Sequence, residues 1–386
     1  MQYADILHRC FRCGYCKFPE DYSDFNCPPY LRYGFESFSP GGRMWLLRAW
    51  QNGDLEAGPR FADILFSCAA CGNCVKHCAF PEFRDDLLNA FIAGKAALIE
   101  NGIVPPKASA YFEAVFRHGN PFKLLKKNRT QWIGDLDIPL FSDQSFLFYV
   151  GDLGSYDEYG REMAYRTAKL MKLLGISFGI LGTDEICDGN EIRSMGEFEL
   201  FEHVASQNIA NFNKAGVKRI ITLSPHAFHV FNHDYPPLGG EFEIYHYSQI
   251  IGGAVSQLEF PEPGPPIRVA FHDPCYLGRH NDDYGSARAM LSAAPGVELV
   301  EMERNRQNAL CCGGGGGNAF TDILGSGPKS AARVRVKEAL ATGAKVLAVA
   351  CPQCLMMFED AVRSEGVAEE LHVMDIAGVI TSCGVA

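Results

Sequence analysis

The chain is predicted to be a multidomain α+β protein: a helical N-terminal region, then two copies of one α/β unit with mostly parallel sheets. Three observations predict this. Cysteines crowd two short stretches in the first eighty residues, and the segments beside them read as helices. Beyond about residue 141 short apolar runs alternate with amphipathic helical stretches. The second α/β stretch repeats the first.

Composition sets the frame. The 386 residues are 47% hydrophobic and 21% charged, enough for several domains with a sizeable core. The net charge of −11, with no Lys/Arg block, argues against nucleic acid and against an anionic membrane surface. No apolar run reaches the roughly 18–20 residues of a membrane span, and "MQYADILHRCFRC" lacks the apolar core of a secretory signal. The expectation is a cytoplasmic chain that meets a membrane only through partner subunits. Fifteen cysteines, mostly in tight groups, point to metal rather than to a disulfide scaffold, which is usually small and secreted. No CxxC pair is followed by His, which excludes c-type haem attachment.

"CFRCGYCKFPEDYSDFNCP" contains C-x2-C-x2-C followed by Cys27, and "CAACGNCVKHC" contains C-x2-C-x2-C-x3-C. Each triplet puts three thiolates on one turning backbone, and the fourth ligand characteristically comes from the other run. We therefore assign Cys10, Cys13, Cys16 and Cys78 to one [4Fe-4S] cubane cluster, and Cys68, Cys71, Cys74 and Cys27 to a second. Ten residues between Cys16 and Cys27 depart from the compact spacing. Structural zinc also uses CxxC, but in two pairs rather than two triplets with outlying fourths. Between the runs, Ser39 as N-cap, Pro40 in the first turn and Gly53 as terminator mark a helix. "FRDDLLNAFIAGKAALIENG" reads as another, so residues 1–104 form a helical ferredoxin-type domain.

Residues 105–140 read as a basic, proline-marked connector. "SFLFYV", "ISFGIL" and "RIITLS" then read as strands separated by helices, and after the linker "PEPGPP" the pattern restarts with "IRVAFH", "VELVEM" and "AKVLAVA". The units, 141–260 and 267–386, align. "FYVGDLGSYDEYG" matches "AFHDPCYLGRHNDDYG", "EICDGNEI" matches "ALCCGGGG", and "IITLSPHAF" matches "LAVACPQCL". Asp152 thus corresponds to Cys275, Cys187 and Asp188 to Cys311 and Cys312, and Ser224 and Ala227 to Cys351 and Cys354.

The second unit has five cysteines in three loops, each after a strand, and such loops share the carboxyl edge of a parallel sheet. Five converging thiolates exceed the need of one cubane. Cys311 and Cys312 serve different irons of an enlarged cluster in this reading, and Gly313 to Gly317 let the loop fold around it. A phosphate-binding loop would need a lysine or spaced glycines that the stretch lacks.

"CCGGGG", "CPQC", "SPGGRM" and "HGNPF" resemble the family with a duplicated CCG domain, over nearly the whole chain. It includes the B-type and D-type subunits of heterodisulfide reductase, the iron–sulfur subunit of glycolate oxidase, and sulfite-reductase- and benzoyl-CoA-reductase-associated proteins. The layout is most similar to the D-type heterodisulfide reductase subunit. The resemblance implies two duplicated α/β CCG domains behind a helical two-cluster ferredoxin domain. It also implies a non-cubane [4Fe-4S] cluster on Cys275, Cys311, Cys312, Cys351 and Cys354. The first unit keeps one cysteine at its five ligand positions and is expected to bind no cluster. His272, beside Cys275, is the candidate catalytic proton donor. His226 and His229 lie in the third loop of the cluster-less unit, and Cys383 reads as a free thiol.

Three clusters make an electron wire, and no flavin or nicotinamide site is visible, so a multi-subunit complex is implied. One reading is the iron–sulfur subunit of a heterodisulfide-reductase-like complex, acting on a disulfide or thiol. The other is an electron-transfer subunit between a flavoprotein dehydrogenase, or a benzoyl-CoA-reductase-type enzyme, and ferredoxin or a quinone-linked membrane partner.

Overall fold

A computed structural model describes residues 3–21, 23–262 and 264–385; Pro263, within the expected linker, lies outside them. The N-terminal region is helical, with helices Ala4–Arg9, Pro28–Tyr33, Pro40–Asn52, Pro59–Phe66, Asn73–His77 and Leu87–Glu100. The predicted cap is in place: the Ser39 hydroxyl accepts from Gly42 N at 3.0 Å, and Gly53 ends the helix with φ +81°. Gly94 lets Leu87–Glu100 lie directly on Leu47 of that helix.

The expected connector is largely folded. Pro106–His118 is an α-helix whose buried Ala108, Tyr111, Ala114 and Val115 recur at helical spacing. Two 3₁₀ turns follow, Lys126–Asn128 and Gln131–Ile133, with buried Arg129 between them.

The first unit holds strands β1 (Phe146–Tyr149), β2 (Phe178–Gly179), β3 (Arg219–Thr222) and β4 (Glu243–His246), all parallel in the order β2-β1-β3-β4. The second holds β5 (Ile267–His272), β6 (Val297–Val300), β7 (Val346–Val349) and β8 (His372–Asp375), in the order β6-β5-β7-β8. The expected strand "ISFGIL" shrinks to two residues because Gly179 is pressed against the Phe141 backbone. Strands β4 and β8 went unread in the sequence. Each is a four-residue edge strand with an exposed first residue, too short and too polar to announce itself.

Register confirms the repeat. Tyr149 pairs with Thr222, which pairs with His246; His272 pairs with Val349, which pairs with Asp375. The packing between units is reciprocal. Helix Glu158–Leu173, after β1, lies on Ile376–Ser382, after β8; Ser286–Ala293, after β5, lies on Tyr247–Ala254, after β4. This is a pseudo-twofold. It turns the carboxyl edges of both sheets, and every cysteine loop, toward the helical region.

Candidate iron–sulfur centres

Cys10, Cys13 and Cys16 lie on a tight loop turned by Arg12 and Gly14, both at positive φ, and Cys78 ends helix Asn73–His77. All four line one cavity of about 370 Å³ with Pro40, Gly41, Met44, Phe80 and Phe83. Burial pushes the thiols of Cys10, Cys16 and Cys78 up, and neighbouring cysteines add to it.

Cys27 is the N-cap of helix Pro28–Tyr33, so the long insertion still returns it to the second triplet. Burial takes its thiol to about 12, with Arg43 opposing and Cys71 and Cys68 reinforcing. Cys74 is pushed up by burial and then by Cys68, Cys16, Cys71 and Cys27. The four face one another, and Cys16 connects them to the first group.

The five cysteines of the second unit converge as the topology requires. Cys275 follows β5, Cys311 and Cys312 follow β6, and Cys351 caps helix Pro352–Glu365, which carries Cys354 after β7. All five are buried and none is in a disulfide. Cys311 Sγ lies 3.8 Å from Cys275 Sγ, and Cys354 Sγ 3.4 Å from Cys312 Sγ. Shared protons split them: Cys311 and Cys354 are raised, whereas hydrogen bonds from Cys311, Cys354 and His272 bring Cys312 down. Against burial, Cys354 and His226 bring Cys351 to about 6. Five buried, unoxidised thiols converging from three loops are the donor set that soft iron–sulfur clusters take, so the residues fit the group the motifs imply.

The glycine run is where the structure corrects the sequence reading. Only Gly313 and Gly314 face their own unit, toward Leu324 and Met357. A Cβ on Gly315 would collide with the carbonyl of Ala69, one on Gly316 with that of Cys68, and one on Gly317 with the Met195 side chain. The glycines thus bring this cysteine loop against the second triplet's loop as well as around its own thiols. At the junction Arg279 ties the two loops together, donating through Nε to Cys71 O at 2.7 Å and through Nη1 to Ala309 O at 2.5 Å.

The first unit replaces cysteines with charge. Asp152, at the Cys275 position, is ion-paired with Arg129 at 2.5 Å, and Arg129 also reaches Glu185 at 3.0 Å; all three are buried. Glu185 accepts from Val150 N at 3.0 Å and Gly151 N at 2.9 Å, holding the first loop. Burial carries Asp188 to about 7 and pushes Cys187 well above an ordinary thiol. Ser224 caps its helix through His226 N at 3.1 Å.

His226 pairs with Glu191 at 2.6 Å, and against burial, Glu191 and then the Cys351 thiol across the pseudo-twofold raise its basicity. Glu191 also accepts from Gly317 N. A narrow cavity opens between the units, lined among others by Asp152, Cys187, Asp188, His226 and Gln353. Gln353 sits between Cys351 and Cys354, is 3% exposed, and neither of its amide atoms has a partner. His229 instead packs beside His233, His280 and Tyr276 on a separate cavity. His272 stands behind the thiols, with one ring nitrogen within 4.8 Å of Cys312 and Cys354. Arg335 Nε donates to His272 Nδ1 at 3.3 Å, and burial lowers its basicity. It does not line the cavity. Cys383 is half-buried, with Sγ 3.4 Å from Val379 O.

Sequence reasoning missed Arg129, hidden in the basic connector; Glu191 and Gln353; and Arg279, four residues past Cys275 in the same loop. Among the described residues, no helix is long and apolar enough to cross a membrane.

Comparison with known proteins agrees with this architecture. A 4Fe-4S dicluster domain model matches residues 6–80, and the Cysteine-rich domain (CCG) model matches twice, at 149–231 and 269–359. The chain is similar to "Probable iron-sulfur-binding oxidoreductase FadF" of Bacillus subtilis, 33% identical over 82% of this chain and 46% of that protein. It is similar to "EtfAB:quinone oxidoreductase" of Syntrophomonas wolfei, 29% identical over 83% of this chain and 46% of that protein. It thus spans about half the length of these two relatives. It is also similar to the D-type component of the "Dihydromethanophenazine:CoB--CoM heterodisulfide reductase" of Methanosarcina barkeri, 29% identical over 97% of this chain and 95% of that one. With a dicluster domain ahead of two CCG repeats, the chain belongs to the CCG-domain iron–sulfur oxidoreductase family.

Proposed function

We propose that the chain is the iron–sulfur subunit of a multi-subunit redox complex akin to heterodisulfide reductase, organised as domains 1–104, 105–140, 141–260 and 267–386. Cys10, Cys13, Cys16 and Cys78 hold one cubane [4Fe-4S] cluster. Cys27, Cys68, Cys71 and Cys74 hold a second. Cys275, Cys311, Cys312, Cys351 and Cys354 hold a non-cubane [4Fe-4S] cluster, and the first unit holds none. Such clusters supply one-electron chemistry at potentials set by cluster type, charge, hydrogen bonding and burial. The observation that carries the reading is the approach of the second triplet's loop to the five-cysteine loop, where Gly315 and Gly316 lie against the Ala69 and Cys68 carbonyls and Arg279 ties Cys71 O to Ala309 O.

In this reading a disulfide or thiol enters the cavity beside Gln353, whose unpartnered amide orients it. His272 acts through Cys312 and Cys354, held by Arg335. His226, which lines the cavity and touches Cys351, gives or takes the proton on substrate sulfur. Flavoprotein, ferredoxin or quinone-linked partners supply or remove the electrons.

A second reading is electron transfer alone, between a flavoprotein and a quinone-linked acceptor. It is favoured by the narrowness of the cavity and by the likeness to EtfAB:quinone oxidoreductase. The test is to oxidise the reduced protein with candidate disulfides, thiols or thioesters and follow the five-cysteine centre by EPR. A substrate-dependent signal that vanishes in Cys312→Ser supports the first reading. If no such compound perturbs the centre while the protein still passes electrons from flavoprotein to acceptor, the second stands.

A further inference from the structure

Buried cations in this chain usually meet carboxylates, as Arg129 does with Asp152, Arg288 with Asp273 at 2.6 Å and Arg335 with Glu338 at 2.6 Å. Three do not. Arg43 is 1% exposed and donates to Ile64 O, Phe38 O and Ser67 Oγ. Lys95 is 1% exposed, and its Nζ donates to Ser194 O at 3.0 Å. Arg279 is 5% exposed; Nε donates to Cys71 O at 2.7 Å, Nη1 to Ala309 O at 2.5 Å and to Gln307 O at 3.3 Å, and Nη2 has no partner.

An isolated buried charge is costly unless something opposite stands nearby. Cysteine sulfur of the second ferredoxin-type set stands beside each of them. Arg43 shares Phe38 O with the Cys27 thiol and donates to Ser67 next to Cys68. Arg279 donates to Cys71 O, with Cys275 and Cys311 also near its charge. Lys95 has Cys68 as its strongest opposite charge, and Glu191, with which it makes no ion pair, as a weaker one. Around Cys10, Cys13, Cys16 and Cys78 the nearby cations are Arg12 and Arg84, both exposed and therefore screened, and Lys17, which is ion-paired with Glu36.

We propose that Arg43, Lys95 and Arg279 form a cradle of buried cations that make no ion pair with a carboxylate. The cradle holds the cluster of Cys27, Cys68, Cys71 and Cys74 at a higher reduction potential than the cluster of Cys10, Cys13, Cys16 and Cys78. This rests on the ligand sets proposed above. Reduction adds one negative charge to a cluster, and an unscreened cation stabilises the reduced state more than the oxidised one. One electron leaving the first cluster, which is thereby oxidised, reduces the second and falls downhill toward the five-cysteine site. Arg279 also ties the Cys71 loop to the Ala309 loop, so its charge is shared with that site.

The test is an anaerobic EPR-monitored redox titration of the full chain, with Cys13→Ser and Cys74→Ser assigning the two ferredoxin-type signals. The second signal should have the higher potential in the unaltered protein. Arg43→Gln, Lys95→Gln and Arg279→Gln should each lower its reduced-to-oxidised ratio at fixed potential by tenfold or more, which is about 59 mV for one electron. The first cluster should stay within threefold. Only Arg279→Gln should also lower the five-cysteine centre, and Arg43→Lys and Arg279→Lys should restore the original values. An inverted order in the unaltered protein, or Gln variants with full iron and unshifted potentials, would overturn the proposal. If a Gln variant loses iron, its charge-keeping counterpart (Arg43→Lys, Lys95→Arg or Arg279→Lys) decides: retained iron and potential support a role of charge, and lost iron leaves only a structural role and refutes it. If Cys13→Ser and Cys74→Ser remove the same signal or none, the ligand sets fail instead, whatever the order of potentials.

Discussion

Gly316→Ala tests the finding that the glycine run serves the junction between cysteine loops. Gly316 has φ +62°, and a Cβ there would collide with the Cys68 carbonyl, which is backbone and cannot swing aside. Overpacking of this kind costs about 1–3 kcal/mol. The left-handed conformation adds about 1–2 kcal/mol for any residue with a Cβ. The two together come to about 2–5 kcal/mol against the closed loop. Gly315→Ala meets the Ala69 carbonyl without a positive φ and should cost only the first term. Gly314→Ala is the control, because its nearest neighbour is the Met357 side chain at 3.0 Å, which is flexible, so about 1 kcal/mol or less is expected. Global unfolding of a multidomain chain is not two-state, so the assay is local. Amide hydrogen exchange across residues 309–320 of the iron-loaded protein should speed up by about 30-fold to a few thousand-fold in Gly316→Ala, at tenfold per 1.4 kcal/mol. Magnetic coupling between the Cys71-bearing cluster and the five-cysteine centre should weaken in parallel. Exchange within threefold of the unaltered protein, with coupling intact, would refute the reasoning and return the glycines to wrapping their own cluster.

Anaerobically purified protein should hold about twelve irons and twelve sulfides by the ligand arithmetic; about sixteen would put a cluster in the first unit, and about eight would remove the five-cysteine one. Cys312→Ser should erase the five-cysteine EPR signal and spare both ferredoxin-type signals, while Cys187→Ser should cost no iron by metal analysis. Arg129→Met should destabilise the first unit by about 3–5 kcal/mol, because it strands Asp152 and Glu185 as buried unpaired charges; a melting temperature unchanged on differential scanning fluorimetry would contradict this. Asp188 is raised by burial from 3.8 to about 7, so the folded state binds more protons than the unfolded one between those values. Its effect is therefore to erode stability as pH rises through that window. Asp188→Asn should raise the melting temperature at pH 8 and leave it nearly unchanged at pH 4.

The cysteines were the most legible part of the sequence because their spacing is itself the chemistry: a C-x2-C-x2-C run has few uses, and the five-cysteine pattern repeated a strand–loop frame already visible upstream. The duplication was readable for the same reason, through offsets that the paired strands now share at Tyr149 and His272. What stayed hidden depends on long-range approach. Nothing local marks Gly315 and Gly316 as contacts of Cys68 and Ala69, some 250 positions earlier. Nothing in "KKNRTQW" shows that one of its cations is buried against Asp152 and Glu185. His272 looked promising because it neighbours Cys275 in sequence. Yet successive strand residues point to opposite faces, and the chain turns after Pro274, so its ring meets Cys312 and Cys354 instead.

The contrast between the units explains how the first holds its three loops together with only Cys187 left at the five ligand positions. In the second unit three loops meet at thiols whose mutual repulsion on ionisation calls for a metal centre. In the first, the same three loops meet through Arg129, Asp152 and Glu185, through the Ser224 cap, and through Glu191 with His226. Each link spans elements that a cluster would otherwise cross-link: Arg129 comes from the connector, Glu185 from the β2 loop, Asp152 from the β1 loop. Glu191 and His226 do more, because they reach Gly317 and Cys351 of the other unit. The first unit is therefore not a vestige beside the working one. It is a charged half-shell packed against the five-cysteine loops through Glu191 at Gly317 N and His226 beside Gly315. Asp152, Asp188 and Ser224, at positions where the second unit has cysteines, line the cavity between the units instead.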